Sequence, residues 1–173
     1  TGQRDETLDS LGVNYFAANL LEEGTNQYSA NQMADQLAML GTDFSISPGT
    51  DFTYISIDGL TLSSEKIIDL FSEIIFKPAF KDTEFIKLKK QVQSGIKKLQ
   101  DSPSQLADMK INQIMFNEHP FAYPLFGNEK SVTKLKRVDI IKHFLKYYRP
   151  NNSYLAVTGA LTDEIENKVI EVF

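Results

Sequence analysis

Three residues on one short amphipathic stretch have the spacing of metal chemistry without its donors. In Gly12–Thr25, GVNYFAANLLEEGT, the residues Tyr15, Ala18 and Asn19 stand at positions i, i+3 and i+4. That is the frame of the inverted zinc motif His-x-x-Glu-His, which needs two ligands on one helix face and a carboxylate beside them. Zinc takes imidazole, thiolate or carboxylate donors. A phenol, a methyl group and a carboxamide do not make such a site. Two readings follow: a different polar site, or plain packing of the interior or a cavity wall. Asn19 carries the sharper demand, because a buried amide needs hydrogen-bond partners.

Other chemistry is thin. The chain of 173 residues has no cysteine, which excludes disulfides, thiolate zinc sites and thiol nucleophiles within it. Its two histidines, His119 and His143, are too far apart in sequence for a helical ligand pair. His119 reads as a loop residue before Pro120, and His143 as a structural or exposed residue of an amphipathic helix. Lys87, Lys89, Lys90, Lys97 and Lys98 read as the wet face of a long helix. Hydrophobic residues make up 42% and charged residues 24%, with a net charge of −5. This is an ordinary globular mix. It lacks the basic face of a nucleic-acid binder and any apolar run long enough to span a bilayer. The absence of cysteine fits periplasm and cytoplasm equally.

Periodicity supplies the elements that would hold the frame. Leu11–Glu23 reads as a helix with Val13, Phe16 and Leu20 on one face, ending at Gly24. Ser29 caps a second helix, Ala30–Leu40, that buries Met33, Leu37 and Leu40 and stops at Gly41. Phe44–Ser47 and Phe52–Ile57 alternate as the strands of a hairpin around Pro48-Gly49. Ile67, Phe71, Ile74 and Ile75 mark a helix that Pro78 ends. A long helix follows from Asp82 or Thr83, with Phe85, Leu88, Val92, Ile96 and Leu99 inward and Gly95 as an unfavourable insertion. Ser104–Phe116 predicts a helix with Leu106, Met109 and Ile114 inward, and 133–148 contains another with Leu135, Val138, Ile141 and Leu145 buried. Tyr154–Thr158 predicts a strand, and Asp163–Phe173 a last helix. Residues 1–6 look like the end of a strand running into a loop, and the last helical pattern carries no stop signal. The expectation is one domain over 1–173, part of a longer protein with at least one more domain of the same fold.

An ordered set of segments extends this reading. Gly2-Gln3-Arg4-Asp5-Glu6, then GVNYFAANLLEEGT, Tyr28-Ser29-Ala30, Leu40-Gly41-Thr42, Asp58-Gly59-Leu60, Lys77-Pro78-Ala79-Phe80, Asp101-Ser102-Pro103, His119-Pro120-Phe121, Gly127 and Tyr148-Arg149-Pro150-Asn151-Asn152 run nearly the whole chain. In that order they resemble the pitrilysin/insulinase family of zinc metallopeptidases, which includes processing peptidases and respiratory core proteins. The resemblance implies an α+β fold, a mostly antiparallel sheet with helices packed on one face. It implies that the zinc-binding histidines of active members fall at Tyr15 and Asn19, the general base at Ala18, and a distal glutamate ligand near Ser94 or Gly95. All these positions are vacant of their chemistry.

The chain is therefore similar to a non-catalytic half or subunit, with no cofactor of its own and zinc expected only in an active partner. The implied partners are a catalytic subunit or half of the same family, or a second copy, around a peptide substrate. A peptide held by β-addition would lie along Phe52, Tyr54 and Ile55, although which strand is the edge stays open. Two other functions stand beside this one: an assembly protein like the respiratory core proteins, and an active zinc endopeptidase with ligands outside this chain.

Overall fold

The computed structural model describes residues 1–99 and 101–173. Helix α1, Val13–Asn19, follows Gly12, and its last turn tightens into a 3-10 turn over Leu20–Glu23. The single helix expected over Leu11–Glu23 is thus two shorter pieces. The tightened turn delivers Gly24 and Thr25 to the chain at Lys77–Ala79. There the Ala79 N–H donates to the Gly24 carbonyl at 3.1 Å, and the Asn26 N–H to the Lys77 carbonyl at 3.0 Å. Helix α2, Ala30–Leu40, opens with a capping box: the Gln32 N–H donates to the Ser29 hydroxyl, and the Gln32 side chain accepts the Ser29 N–H.

Strands β1, Asp43–Pro48, and β2, Thr53–Asp58, form an antiparallel hairpin with Phe44 opposite Ile57 and Ile46 opposite Ile55. Phe44, Ile46 and Ile55 pack toward the core, while Asp43, Ser45 and Ser47 face out. Helices therefore cover one face of the sheet, as an α+β fold requires. Helix α3, Ser64–Phe76, packs with α8, Asp163–Val172, and α1 packs on β1 and on α7, Arg137–Tyr147. Helix α4, Asp82–Leu99, lies against the turn after α1 and against α6, Glu129–Lys134. Phe16, Leu20, Leu21, Ile74, Val132 and Ile140 are fully buried where these elements meet.

Four further expectations are corrected. Residues 154–158 form no strand: they are exposed and make no strand pairing among the described residues. Helix α5, Pro103–Phe116, buries no residue, and Leu106 and Ile114 are exposed. It packs against the turn Pro120–Ala122, which takes up too little of its surface to cover an apolar face. The helix expected over 133–148 is broken at Leu135–Lys136, which rotates the inward face of α7. Ile140, His143 and Phe144 point in, whereas Val138 and Leu145 are exposed. Residues 1–6 also differ, making a 3-10 turn over Gln3–Asp5 in place of a strand end.

Lysine 89 departs from the solvated face assigned to it. Its Nζ donates to the carbonyls of Thr133 and Leu135 at 2.9 and 2.8 Å, closing the end of α6. The neighbouring Lys87 reaches Glu23 at 3.5 Å and Glu84 at 3.3 Å. Gly95 sits on the exposed side of α4, and a Cβ added there meets nothing within 4 Å. Gly95→Ala should therefore stabilise the fold by about 0.5–1 kcal/mol, read as a higher urea midpoint. A lower midpoint would show that the space beside Gly95 is not free.

Candidate functional site

The start of α1 is held by a carboxylate from upstream. Gly12, the residue before the helix, offers no side chain, and it sits at φ 89°, a backbone region that favours glycine. Glu6 takes over the capping: Oε2 accepts the Gly12 N–H at 2.9 Å and Oε1 the Asn14 N–H at 2.8 Å. Both N–H groups lie at a helix N-terminus, where an anion is favoured. The same end is pressed against the loop after α5. A Cβ on Gly12 would stand 2.5 Å from the Phe126 carbonyl oxygen, and one on Gly127 2.5 Å from that of Leu11. The two glycines let backbone touch backbone there.

Asn14 is the node inside this arrangement. It is 2% exposed, and its side chain meets three residues from β2 and from α7 and its end. Nδ2 donates to Thr53 Oγ1 on β2 at 3.0 Å. Oδ1 accepts from the Tyr148 hydroxyl at 3.1 Å and lies 3.2 Å from His143 Nε2 on α7, which donates in the neutral Nε2–H tautomer. Tyr147, beside it in sequence, donates its hydroxyl to the Asp5 carbonyl at 3.3 Å. The site reading centred on Asn19 missed this cluster. A signal was present: Asn14 shares the stripe of Ala18 and Leu21 at i, i+4 and i+7, and so had to be buried with partners.

Burial dominates the electrostatics. It pushes the Glu6 carboxyl up to about 7, against the pull of the Asn14 and Gly12 N–H groups, and the Asp5 carboxylate adds to the rise. It pushes the His143 imidazole down to about 4, opposed by Asp5. The Tyr148 hydroxyl is driven up to about 12, again chiefly by burial.

The vacant positions are occupied by packing. Ala18 is fully buried. Tyr15 is half-buried, and its ring meets Phe16 and Phe126 edge-on at 6.2 and 6.1 Å. Asn19 is half-buried too, and its amide donates back to the Tyr15 carbonyl at 2.7 Å, within its own helix. Ser94 and Gly95 lie on the exposed side of α4. His119 caps the Pro120–Ala122 turn by accepting the Phe121 N–H at Nδ1, 3.2 Å away. Among the described residues no three His, Asp or Glu side chains gather where a metal ion could be held. The residues present do not fit zinc: the position between the two would-be ligands carries a packed methyl group, and those two positions carry a phenol and a carboxamide, neither of them a usual zinc donor.

Phe52, Tyr54 and Ile55, assigned to peptide contact, line one groove beside β2, Ile55 from the face that packs on the core. The groove is apolar and encloses about 460 Å³, and its other walls include Phe71, Phe76, Tyr148 and Leu155. Phe52 and Tyr54 are exposed.

The two titrating groups act on stability in opposite directions. His143 has its folded value below 6.5, so its contribution is present above pH 6.5 and lost as pH falls toward 4. Glu6 has its folded value above 4.5, so it favours the fold in the protonated form and loses that contribution as pH rises from 4.5 to about 7. Between these limits they offset each other. Relative to the parent, Glu6→Gln should become more stable as pH rises from 4.5 to about 7, and His143→Gln less stable as pH rises from about 4 to 6.5. Urea midpoints across this range read both slopes. Parallel profiles for parent and variants would contradict the opposed burial of the pair.

Comparison with known proteins agrees with this geometry. Residues 1–129 match the model of the insulinase family, peptidase family M16. A Bacillus subtilis protein named an uncharacterized zinc protease, YmxG, is 22% identical over 173 residues, which is 100% of this chain and 42% of that protein. A Helicobacter pylori protein named a non-peptidase homolog, YmxG, is 24% identical over 88% of this chain and 35% of its own length. The crystal structure of a peptidase M16 inactive domain from Pseudomonas fluorescens superposes with a TM-score of 0.78 at 24% identity, covering 83% of this chain and 35% of that one. The chain thus spans less than half the length of these relatives. It belongs to the insulinase family of peptidases, family M16.

Proposed function

We propose that this chain is a catalytically inactive M16 domain that completes a peptide-binding chamber and supports an active half or subunit of the same family. The observation that carries the reading is the fully buried methyl group of Ala18 at the general-base position, beside an Asn19 amide turned onto the Tyr15 carbonyl. A zinc-bound water is activated only where the metal is held, and neither α1 nor the Ser94–Gly95 stretch of α4 supplies a donor set. The Pseudomonas structure described as an inactive domain, and the Helicobacter relative named a non-peptidase, support the same reading.

In this reading zinc belongs to the partner, and the domain contributes wall and scaffold. Phe52, Tyr54 and Ile55 line a seat for an extended polypeptide segment added along β2. The assembly-protein alternative gains no residue of its own from the geometry.

A mixing experiment tests the proposal. The purified chain should leave unfolded peptides intact. Cleavage should appear when a family member bearing His-x-x-Glu-His is added, and it should exceed what that member achieves alone. Zinc-dependent cleavage by this chain without any partner would refute it.

A further inference from the structure

A second basin lies between the segment 5–10 and helices α6 and α7. It encloses about 420 Å³, and Val13 and Leu135 give it an apolar floor. That volume is in the range of small-ligand sites. Its charges sort by element. Lys134 of α6 and Lys142 and Lys146 of α7 come from one side, and Asp5 and Asp9 from the other. Lys142 and Lys146 stand one turn apart on the same helix face, and Lys146 rests over the Tyr147 ring at 4.6 Å. None of these three ammonium groups has an ion-pair partner among the described residues, nor has Asp9. Asp5 spends one oxygen on the Gly2 N–H at 3.1 Å and sets the other 4.0 Å from Arg4. Asp139, the remaining carboxylate at the basin, accepts the Lys136 N–H at 2.9 Å and so belongs to the start of α7.

His143 adds a directed group. It is 7% exposed and lines the basin. Its Nε2 is turned to Asn14 at 3.2 Å, whereas Nδ1 has no partner among the described residues and is not sealed from the basin. Burial pushes the imidazole down to about 4, so the ring is neutral at ordinary pH. With its proton on Nε2, the ring offers a lone pair at Nδ1 and calls for a donor.

A simple anion would meet the lysines and leave Asp9 and Nδ1 unanswered, and a simple cation would leave the lysines. A molecule with a carboxylate at one end and an ammonium at the other meets both sides. The ammonium has three N–H donors, enough for a carboxylate and Nδ1 together. We infer that the basin between 5–10 and α6–α7 binds a short peptide with both termini free, its carboxylate on Lys134, Lys142 and Lys146 and its ammonium on Asp9, Asp5 and His143 Nδ1. At about 3.3 Å per extended residue, two residues suit the space, and an aliphatic side chain suits the floor. The basin shares no residue with positions 15, 18, 19, 94 and 95, so this inference and the inactive-domain reading can fail separately.

Calorimetric titration of the natural polypeptide that carries these residues, with the dipeptide alanyl-leucine as probe, tests it. The free dipeptide should bind one to one. N-acetylation and C-amidation of the probe should each weaken binding at least about tenfold, because each removes a charged hydrogen-bonding end. The double variant Lys142→Gln with Lys146→Gln, and separately Asp9→Asn, should weaken it at least about threefold. These residues are exposed, so the fold does not depend on them. Binding that ignores either blocked terminus, binding unchanged in the variants, or no binding up to about 10 mM dipeptide would overturn the inference.

Discussion

A single carboxyl group holds the element around which the molecule is built. Helix α1 is short, begins at a glycine with a left-handed backbone, and has no capping side chain of its own. Glu6 supplies both acceptors that its first N–H groups need, and each such group left unpaired in the interior would cost about 1–3 kcal/mol. With its start held, α1 can place Asn14 against β2 and α7, Phe16 against Phe85 of α4, and Tyr15 against Phe126. The burial that makes these contacts dry is also what raises Glu6 and lowers His143.

This explains how a helix with the spacing of the zinc motif stays in place with no zinc donors at positions 15, 18 and 19. In a metal site the ligands would tie α1 to a later helix. Here the tie is made by other means: Gly12 and Gly127 in backbone contact, Gly24 and Asn26 bonded to Lys77–Ala79, and the Asn14 cluster. None of these contacts uses positions 15, 18 or 19 as donors to a metal. Those positions are free to become ring, methyl and amide while the frame around them stays.

Much of the frame was legible in the sequence because its signals are local. The Gly24 and Gly41 helix ends, the Ser29 cap, the hairpin around Pro48-Gly49 and the absence of zinc donors at 15, 18 and 19 all depend on a few neighbouring residues. What was not legible depends on distant partners. The face of α7 was misplaced because the break at Leu135–Lys136 changes its phase, and residues 138 and 145 are as apolar as 140 and 144. Leu106 and Ile114 have helical spacing, but nothing in the described structure packs over them. Tyr154–Thr158 has strand composition and lies beside no paired edge. The Glu6–Asn14–His143–Tyr148 cluster joins residues more than a hundred positions apart, which no window along the chain can show.

The central claim is that the frame around α1 is held by protein contacts alone. Its most direct test is the unfolding midpoint of the chain with added zinc and with chelator, alongside the zinc retained after gel filtration. A site that binds zinc at a hundred times its dissociation constant would add about 2.7 kcal/mol to stability. The account predicts the same midpoint in both conditions and no stoichiometric zinc. A zinc-dependent rise in the midpoint with one metal retained per chain would contradict it.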